Sequence, residues 1–162
     1  MVINSRPDSV ITGPDTLCEL SSANYSASAG TSHSWSITNG TITSGTGTDS
    51  ITVDWPQKNT SHTLDITITN QFGCTSNVTK LINIHEKPDS FITGPDTVCE
   101  LSTASYKSAP GISHTWSVIN GNILLGSGTD SVQVSWPTKA GTHRLSVAIT
   151  NAYGCSSTGS KN

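Results

Sequence analysis

The sequence is poor in charge. Asp, Glu, Lys and Arg make up 12% of its 162 residues, and the eight Lys and Arg nowhere cluster. A nucleic-acid partner needs basic groups to neutralise phosphates, so this composition excludes one. Long apolar runs are absent as well. No stretch of 18 apolar residues and no amphipathic basic segment occurs, so no membrane insertion is expected. Aromatics are scarce at 6%, which leaves few rings for a sugar-stacking platform. No D-x-D-x-D loop offers calcium a site, and no Ser/His/Asp, paired-carboxylate or phosphate-cradling arrangement stands out. The expectation is a chain that is not an enzyme and needs no cofactor. Low charge with much Ser, Thr and Gly can signal disorder. The net charge is only −3, however, and apolar residues alternate regularly, which a disordered chain has no reason to do.

What is present is present twice. Cys18, Trp35, Trp55 and Cys74 recur as Cys99, Trp116, Trp136 and Cys155, each at an offset of 81 residues without a gap. PDSVITGPDTLCELS returns as PDSFITGPDTVCELS, and TNQFGC as TNAYGC. A period of about 80 residues is too long for a solenoid unit, so each repeat is expected to be a small domain with its own core. Residues 1–87 form the first repeat and 88–162 the second. Within the first, residues 1–6 (MVINSR) resemble the tail of an upstream repeat, because VINSRP parallels INIHEKP at its end.

The four cysteines fall two to a repeat. Three pairings are formally open. Cys18–Cys74 and Cys99–Cys155 are favoured, since each unit of an array should be self-sufficient. Such long loops would stabilise each domain by roughly 4 kcal/mol and imply an oxidising compartment. Zinc lacks a pair of closely spaced ligands.

Period-2 alternation dominates. Leu64, Ile66 and Ile68 share one face of HTLDITITN; Ile51, Val53 and Trp55 share one face of DSITVDWP. Trp35 and Ile37 do the same in HSWSIT. Turn residues fall between these runs, as in Gly13-Pro14-Asp15 and Asn39-Gly40. The pattern predicts strands near 8–12, 16–20, 23–28, 33–38, 41–44, 49–55, 62–70 and 76–85. Counting the first two as one broken edge strand gives about seven per repeat: an all-β fold of two tandem antiparallel sandwiches. All four tryptophans, Trp35, Trp55, Trp116 and Trp136, lie in inward register and are assigned to the core, as are Tyr25 and Tyr106.

A Cys, a Trp on a central strand and a second Cys resemble the immunoglobulin pattern. The chain is more similar to the PKD-like repeats of Bacteroidota surface proteins. ITGPDTxCELS with a following Tyr, W-S-x-x-N-G, D-S-x-x-V-x-W and T-N-x-x-G-C stand in both repeats. The W-D-F-G-D-G motif of PKD domains proper is replaced by WSITNG and WSVING, so the resemblance is to the PKD-like group. It implies Ig-like sandwiches in an extracellular, secreted or cell-surface protein, acting as stalk or adhesin segments. It also implies that the second Cys follows the penultimate strand, so that a bridge would tie the sheet edge to a hairpin. Partners implied are neighbouring repeats of the same polypeptide, a surface polysaccharide or another cell-surface protein. The alternative is an accessory spacer or glycan-binding module beside a secreted polysaccharide-degrading enzyme.

The remaining candidates are weaker patterns. Phe91, His85 and Glu86 lie near the repeat boundary and are candidates for an interdomain contact; Glu86, Asp89 and Asp96 are candidates for an interdomain calcium. The histidines recur as His33/His114 and His62/His143, but they begin different strands that an antiparallel pairing would send to opposite ends. No metal site is therefore expected. Asp-Ser/Thr before an aliphatic residue marks Ser9, Thr16, Ser50, Thr97 and Ser131. This resembles the O-glycosylation signal of Bacteroidota, and it is also ordinary turn chemistry ahead of a strand. Finally, Val78, Lys80, Ile82 and Ile84 close the first repeat in alternation, whereas the second reaches Asn162 without that pattern. The second repeat is expected to lack its last strand and expose a sheet edge. The second repeat is then expected to be the less stable domain, or another chain's VINSR segment is expected to fill the gap.

Overall fold

The computed structural model describes residues 1–58, 61–137, 139 and 141–162. The chain divides into two compact units, Met1–Glu86 and Lys87–Asn162. Both are all-β.

Unit 1 contains β1 (Ile11–Thr12), β2 (Thr16–Cys18), β3 (Ser21–Ala27), β4 (Ser32–Thr38), β5 (Thr41–Ser44), β6 (Ser50–Trp55), β7 (His62–Thr69) and β8 (Thr75–His85). Two four-stranded sheets form, ordered β1-β3-β6-β5 and β2-β8-β7-β4. The predicted broken edge strand is real, and it changes sheets at the break. Gly13 permits this: its φ is 143°, and a Cβ there would lie 2.5 Å from Tyr25 Cδ1. Beyond Pro14 the chain joins the second sheet, where β2 runs parallel to the end of β8, with Cys18 opposite His85.

The alternation read from sequence becomes burial. Along β7 every second residue is buried, with Leu64 and Ile68 fully enclosed. Trp35 stands opposite Ile66 on the neighbouring β4. The core joins Tyr25, Trp35, Ile51, Val53, Trp55, Leu64, Ile66, Ile68, Ile82 and Ile84. Each such side chain contributes about 1.5–3 kcal/mol by leaving water. The polar ends of the rings are satisfied. Trp55 Nε1 donates to the Tyr25 hydroxyl at 3.1 Å, and Trp35 Nε1 donates to the Thr48 carbonyl at 2.9 Å.

Unit 2 contains β9 (Ile92–Thr93), β10 (Ser102–Ser108), β11 (Ser113–Ile119), β12 (Asn122–Leu125), β13 (Ser131–Trp136), β14 (Arg144–Thr150) and β15 (Ser156–Lys161). One sheet has the order β12-β13-β10-β9, matching its counterpart in unit 1. The other has three strands, β11-β14-β15. Its core holds Tyr106, Trp116, Val132, Val134, Trp136, Leu145, Val147 and Ile149. The same ring bonds recur: Trp136 Nε1 to Tyr106 at 3.2 Å and Trp116 Nε1 to the Thr129 carbonyl at 2.8 Å.

The expectation that unit 2 lacks its last strand is corrected. β15 pairs with β14 from Ser156↔Thr150 to Lys161↔Leu145. Ser-Ser-Thr-Gly-Ser-Lys carries no apolar alternation, yet a ladder is made by backbone groups, which every residue here supplies. β15 is the shorter strand. β8 has 11 residues where β15 has 6.

Candidate functional site

The cysteines show first how the unit is built. The expected in-repeat bridges are not formed: Cys74 and Cys99 carry free thiols. Cys18 and Cys155 are half-cystines. Strand register explains why Cys18 cannot reach Cys74. Cys18 lies beside His85 at the end of β8, while Cys74 precedes Thr75 at its start. An 11-residue strand separates them by roughly 35 Å at about 3.3 Å per residue. A disulfide needs Cα atoms about 4.4–6.8 Å apart. The two cysteines of a repeat therefore mark opposite ends of one sheet.

At the Cys74 end sits a tight turn. Asn70 Oδ1 accepts from the backbone N–H groups of Phe72 and Cys74, and Gly73 adopts φ 77°. Asn151 repeats this for Tyr153 and Cys155. The rings these turns carry, Phe72 and Tyr153, are 58% and 65% exposed. They are the exposed aromatic pair at matching repeat positions. The sequence reading passed over them because they lie in a turn, where period-2 alternation says nothing. A lead-in segment crosses the same end. Asn70 Nδ2 donates to the Ser5 carbonyl at 2.8 Å, and Ser76 Oγ donates to the Pro7 carbonyl at 2.8 Å. Cys74 Sγ lies 3.8 Å from the Asn4 carbonyl oxygen.

At the opposite end of unit 2 lies an apolar groove of about 580 Å³. Val98, Cys99, Tyr106, Trp136, His143 and Leu145 line it, with Lys161 and Asn162 at one side. In unit 1 the matching residues Tyr25, Trp55 and Leu64 are buried in one cluster with Ile82 and Ile84, and Leu17 packs against that cluster. Among the described residues of unit 2 the buried cluster holds no counterpart of Ile82 and Ile84, and residues 97–99 form no strand. His62, buried in unit 1, packs edge-on against Trp55 at 5.7 Å. Burial holds its pKa below the ordinary histidine value.

The other candidates scatter. Trp35, Trp55, Trp116 and Trp136 are all buried, so none forms a stacking platform. His33 and His62 stand at opposite ends of the β4–β7 pair, since His33 faces Ile68 while Thr63 faces Thr38. His33 Nε2 meets the Ser28 carbonyl at 3.0 Å, and His114 Nε2 meets that of Ala109 at 3.1 Å. Asp96 pairs with Lys161, and Glu86 lies 3.9 Å from Lys58. Phe91 is exposed, and His85 is half-buried as the last residue of β8. Among the described residues no three His, Cys, Asp or Glu side chains are grouped to hold a metal. Thr16, Ser50 and Thr97 are exposed, while Ser9 and Ser131 are half-buried. Thr16 Oγ1 and Ser131 Oγ each donate to the carboxylate of the preceding Asp, at 3.3 and 3.2 Å.

Family comparison gives the same two-fold division. PKD-like domains match residues 5–84 and again 86–162. The chain belongs to the PKD-like domain family. No curated protein sequence matches it. Several solved structures are similar to this chain at low identity and low TM-score. Fibronectin(III)-like modules of Clostridium thermocellum CbhA are 11% identical, with 94% of this chain and 92% of that one covered and a TM-score of 0.42. The mixed-linkage glucan utilization locus SGBP-B of Bacteroides ovatus is 12% identical, with 96% and 43% covered and a TM-score of 0.34. The Yersinia pseudotuberculosis adhesin InvE is 14% identical, with 93% and 58% covered and a TM-score of 0.33. The chain thus spans less than half of the Bacteroides ovatus protein.

Proposed function

We propose that this PKD-like pair is a non-catalytic extracellular repeat module that serves as a stalk or adhesive segment of a surface protein. The observation that carries this reading is the use of the unusual residues. Each Trp, both core Tyr residues and His62 are spent on two separate cores. Among the described residues no three His, Cys, Asp or Glu side chains are grouped, and convergent titratable groups are what acid–base or nucleophilic chemistry requires. Membership of the PKD-like family supports the same reading.

A glycan-binding role finds one specific observation in its favour: the exposed rings of Phe72 and Tyr153. Each lies on a turn of its own unit, between an Asn that caps the turn and a Gly of positive φ. Affinity electrophoresis against a panel of neutral and acidic polysaccharides separates the two readings. Unchanged migration in every gel is expected for the stalk. Retardation lost in Phe72→Ala/Tyr153→Ala would replace it with the glycan reading. Release of reducing ends from any of these polysaccharides would overturn the non-catalytic assignment.

A further inference from the structure

The gap-free offset of 81 residues makes unit 1 a control for unit 2. Along one edge the two differ in a single sense. Unit 1 has Thr38, Thr43 and Ser44 where unit 2 has Ile119, Leu124 and Leu125. All six are exposed. The three apolar residues of unit 2 are 54%, 48% and 68% exposed. None of them joins the core, which takes Ile123 from β12 and Val118 from β11 instead. The replacement also gives up a bond. Thr43 Oγ1 donates to the Thr52 carbonyl at 3.2 Å, beside the bulge between Ile42 and Ser44. Leu124 stands at the matching bulge of β12 and has no group to donate. Three aliphatic side chains therefore stay in water without stabilising their own unit, which is the mark of a contact surface.

These residues lie where the fold leaves strands unpaired. β11 ends at Ile119, Asn120 and Gly121 turn the chain, and β12 carries Leu124 and Leu125. β11 is an edge of the three-stranded sheet and β12 an edge of the four-stranded one. The two strands approach each other. Natural sheet edges are often guarded by charge, yet residues 113–125 contain no Lys, Arg, Asp or Glu. Arg144, the ladder partner of Ile119, donates to Ser160 of β15, on the side of β14 away from β11. We propose that the edge formed by Ile119, Leu124 and Leu125 docks on the same edge of a second copy about a twofold axis. Charge selects that occupant. A twofold contact brings each charged group near its own image, which a charged edge resists and this uncharged one does not.

The bulge interrupts β12, so a continued backbone ladder is blocked there and the aliphatic side chains carry the contact. The area fits a reversible dimer. The three apolar residues offer roughly 300 Å² per copy, and with the flanking Ser, Thr and Asn two copies would bury about 1,000 Å², the low end for a specific contact. A Kd between about 10 μM and 1 mM follows for an interface of that size. Unit 1 keeps Thr and Ser at the matching positions, so it offers no second apolar edge. The contact is isologous, uses one edge per copy and closes at two. It stands apart from the stalk reading, since it concerns a surface of unit 2 whatever the module supports.

Sedimentation equilibrium of the 162-residue chain, with Cys74 and Cys99 alkylated, tests the proposal over a range of about 10 μM to 1 mM. A monomer–dimer equilibrium is expected. Leu124→Thr/Leu125→Ser installs the residues with which unit 1 already folds, so near-UV circular dichroism should be unchanged while association weakens by about tenfold or more. Ile119→Thr, a milder change at the same edge, should weaken it severalfold. The contact itself is read by cross-linking in a Cys74→Ser/Cys99→Ser background. Leu124→Cys should join two copies on mild oxidation, and Thr43→Cys, at the matching exposed site of unit 1, should do so far more slowly. Monomers alone up to about 1 mM would overturn the proposal, as they would if the edge served a different protein. A dimer indifferent to both Leu124→Thr/Leu125→Ser and Ile119→Thr would lie elsewhere on the molecule and overturn it. Equal cross-linking rates for Leu124→Cys and Thr43→Cys would do the same.

Discussion

Four residues show how differently single positions act in this fold. Trp35 and Trp116 are buried on the edge strands β4 and β11, each with its ring N–H donating to a loop carbonyl. Trp35→Ala or Trp116→Ala removes that bond and opens a cavity, so each should cost its own unit about 3–5 kcal/mol. Chemical denaturation followed by the remaining tryptophans measures it; wild-type stability in either variant would mean the ring is not core. Gly13 acts through the backbone. Gly13→Ala would force a Cβ into Tyr25 at φ 143°, and a loss of about 1–3 kcal/mol is expected. His62 acts through protons. Burial lowers its pKa below 6.5, and its Nε2 has no hydrogen-bond partner among the described residues. The unfolded chain therefore takes up a proton at a pH where the folded unit refuses it. The stability from neutral His62 is full above pH 6.5 and declines as pH falls below it. The melting temperature of unit 1 should fall more steeply from pH 7.5 to 5 in wild type than in His62→Leu. Parallel slopes would show that His62 is not the group responsible.

At the scale of elements, the legible strands are those that bury one face. β4, β6 and β7 put Trp and aliphatic residues at every second position, and their limits lie within a residue of the expected ones. β15 is illegible in sequence because it buries little, and it is joined to β14 by a backbone ladder and by the Arg144 guanidinium donating to Ser160 Oγ at 3.0 Å. The two last strands should consequently differ in behaviour. β8 is flanked by β2 and β7, whereas β15 is an edge strand. Amide exchange should be slower in the second half of β8, Leu81–His85, than anywhere in β15. Equal exchange at low protein concentration would mean that the flanking β2 contributes no protection. β2 itself was anticipated only as part of a broken strand. Its parallel pairing with β8 depends on residues some 65 positions away, which local pattern cannot report.

For the whole molecule, two cores predict two unfolding events. Unit 1 encloses Ile82 and Ile84, while unit 2 keeps an open groove where they would sit. Calorimetry of the dilute chain should resolve a lower transition belonging to unit 2 and an upper one belonging to unit 1. Trp116→Ala should displace only the lower. A single cooperative transition displaced as a whole would contradict independent units. By itself the sequence determined the two-fold repeat, the all-β class, the strand faces and the Trp-Tyr cores, because each of these follows from the period and chemistry of neighbouring residues. It did not determine where the cysteines stand. Equal numbers per repeat suggested a bridge inside each unit, yet the length of β8 holds Cys18 and Cys74 at opposite ends of one sheet. Nor could it show that polar β15 would pair, or that Trp136 and Leu145 would line a groove together with Lys161. Those outcomes depend on register and strand length, and register is settled only when the chain is folded against itself.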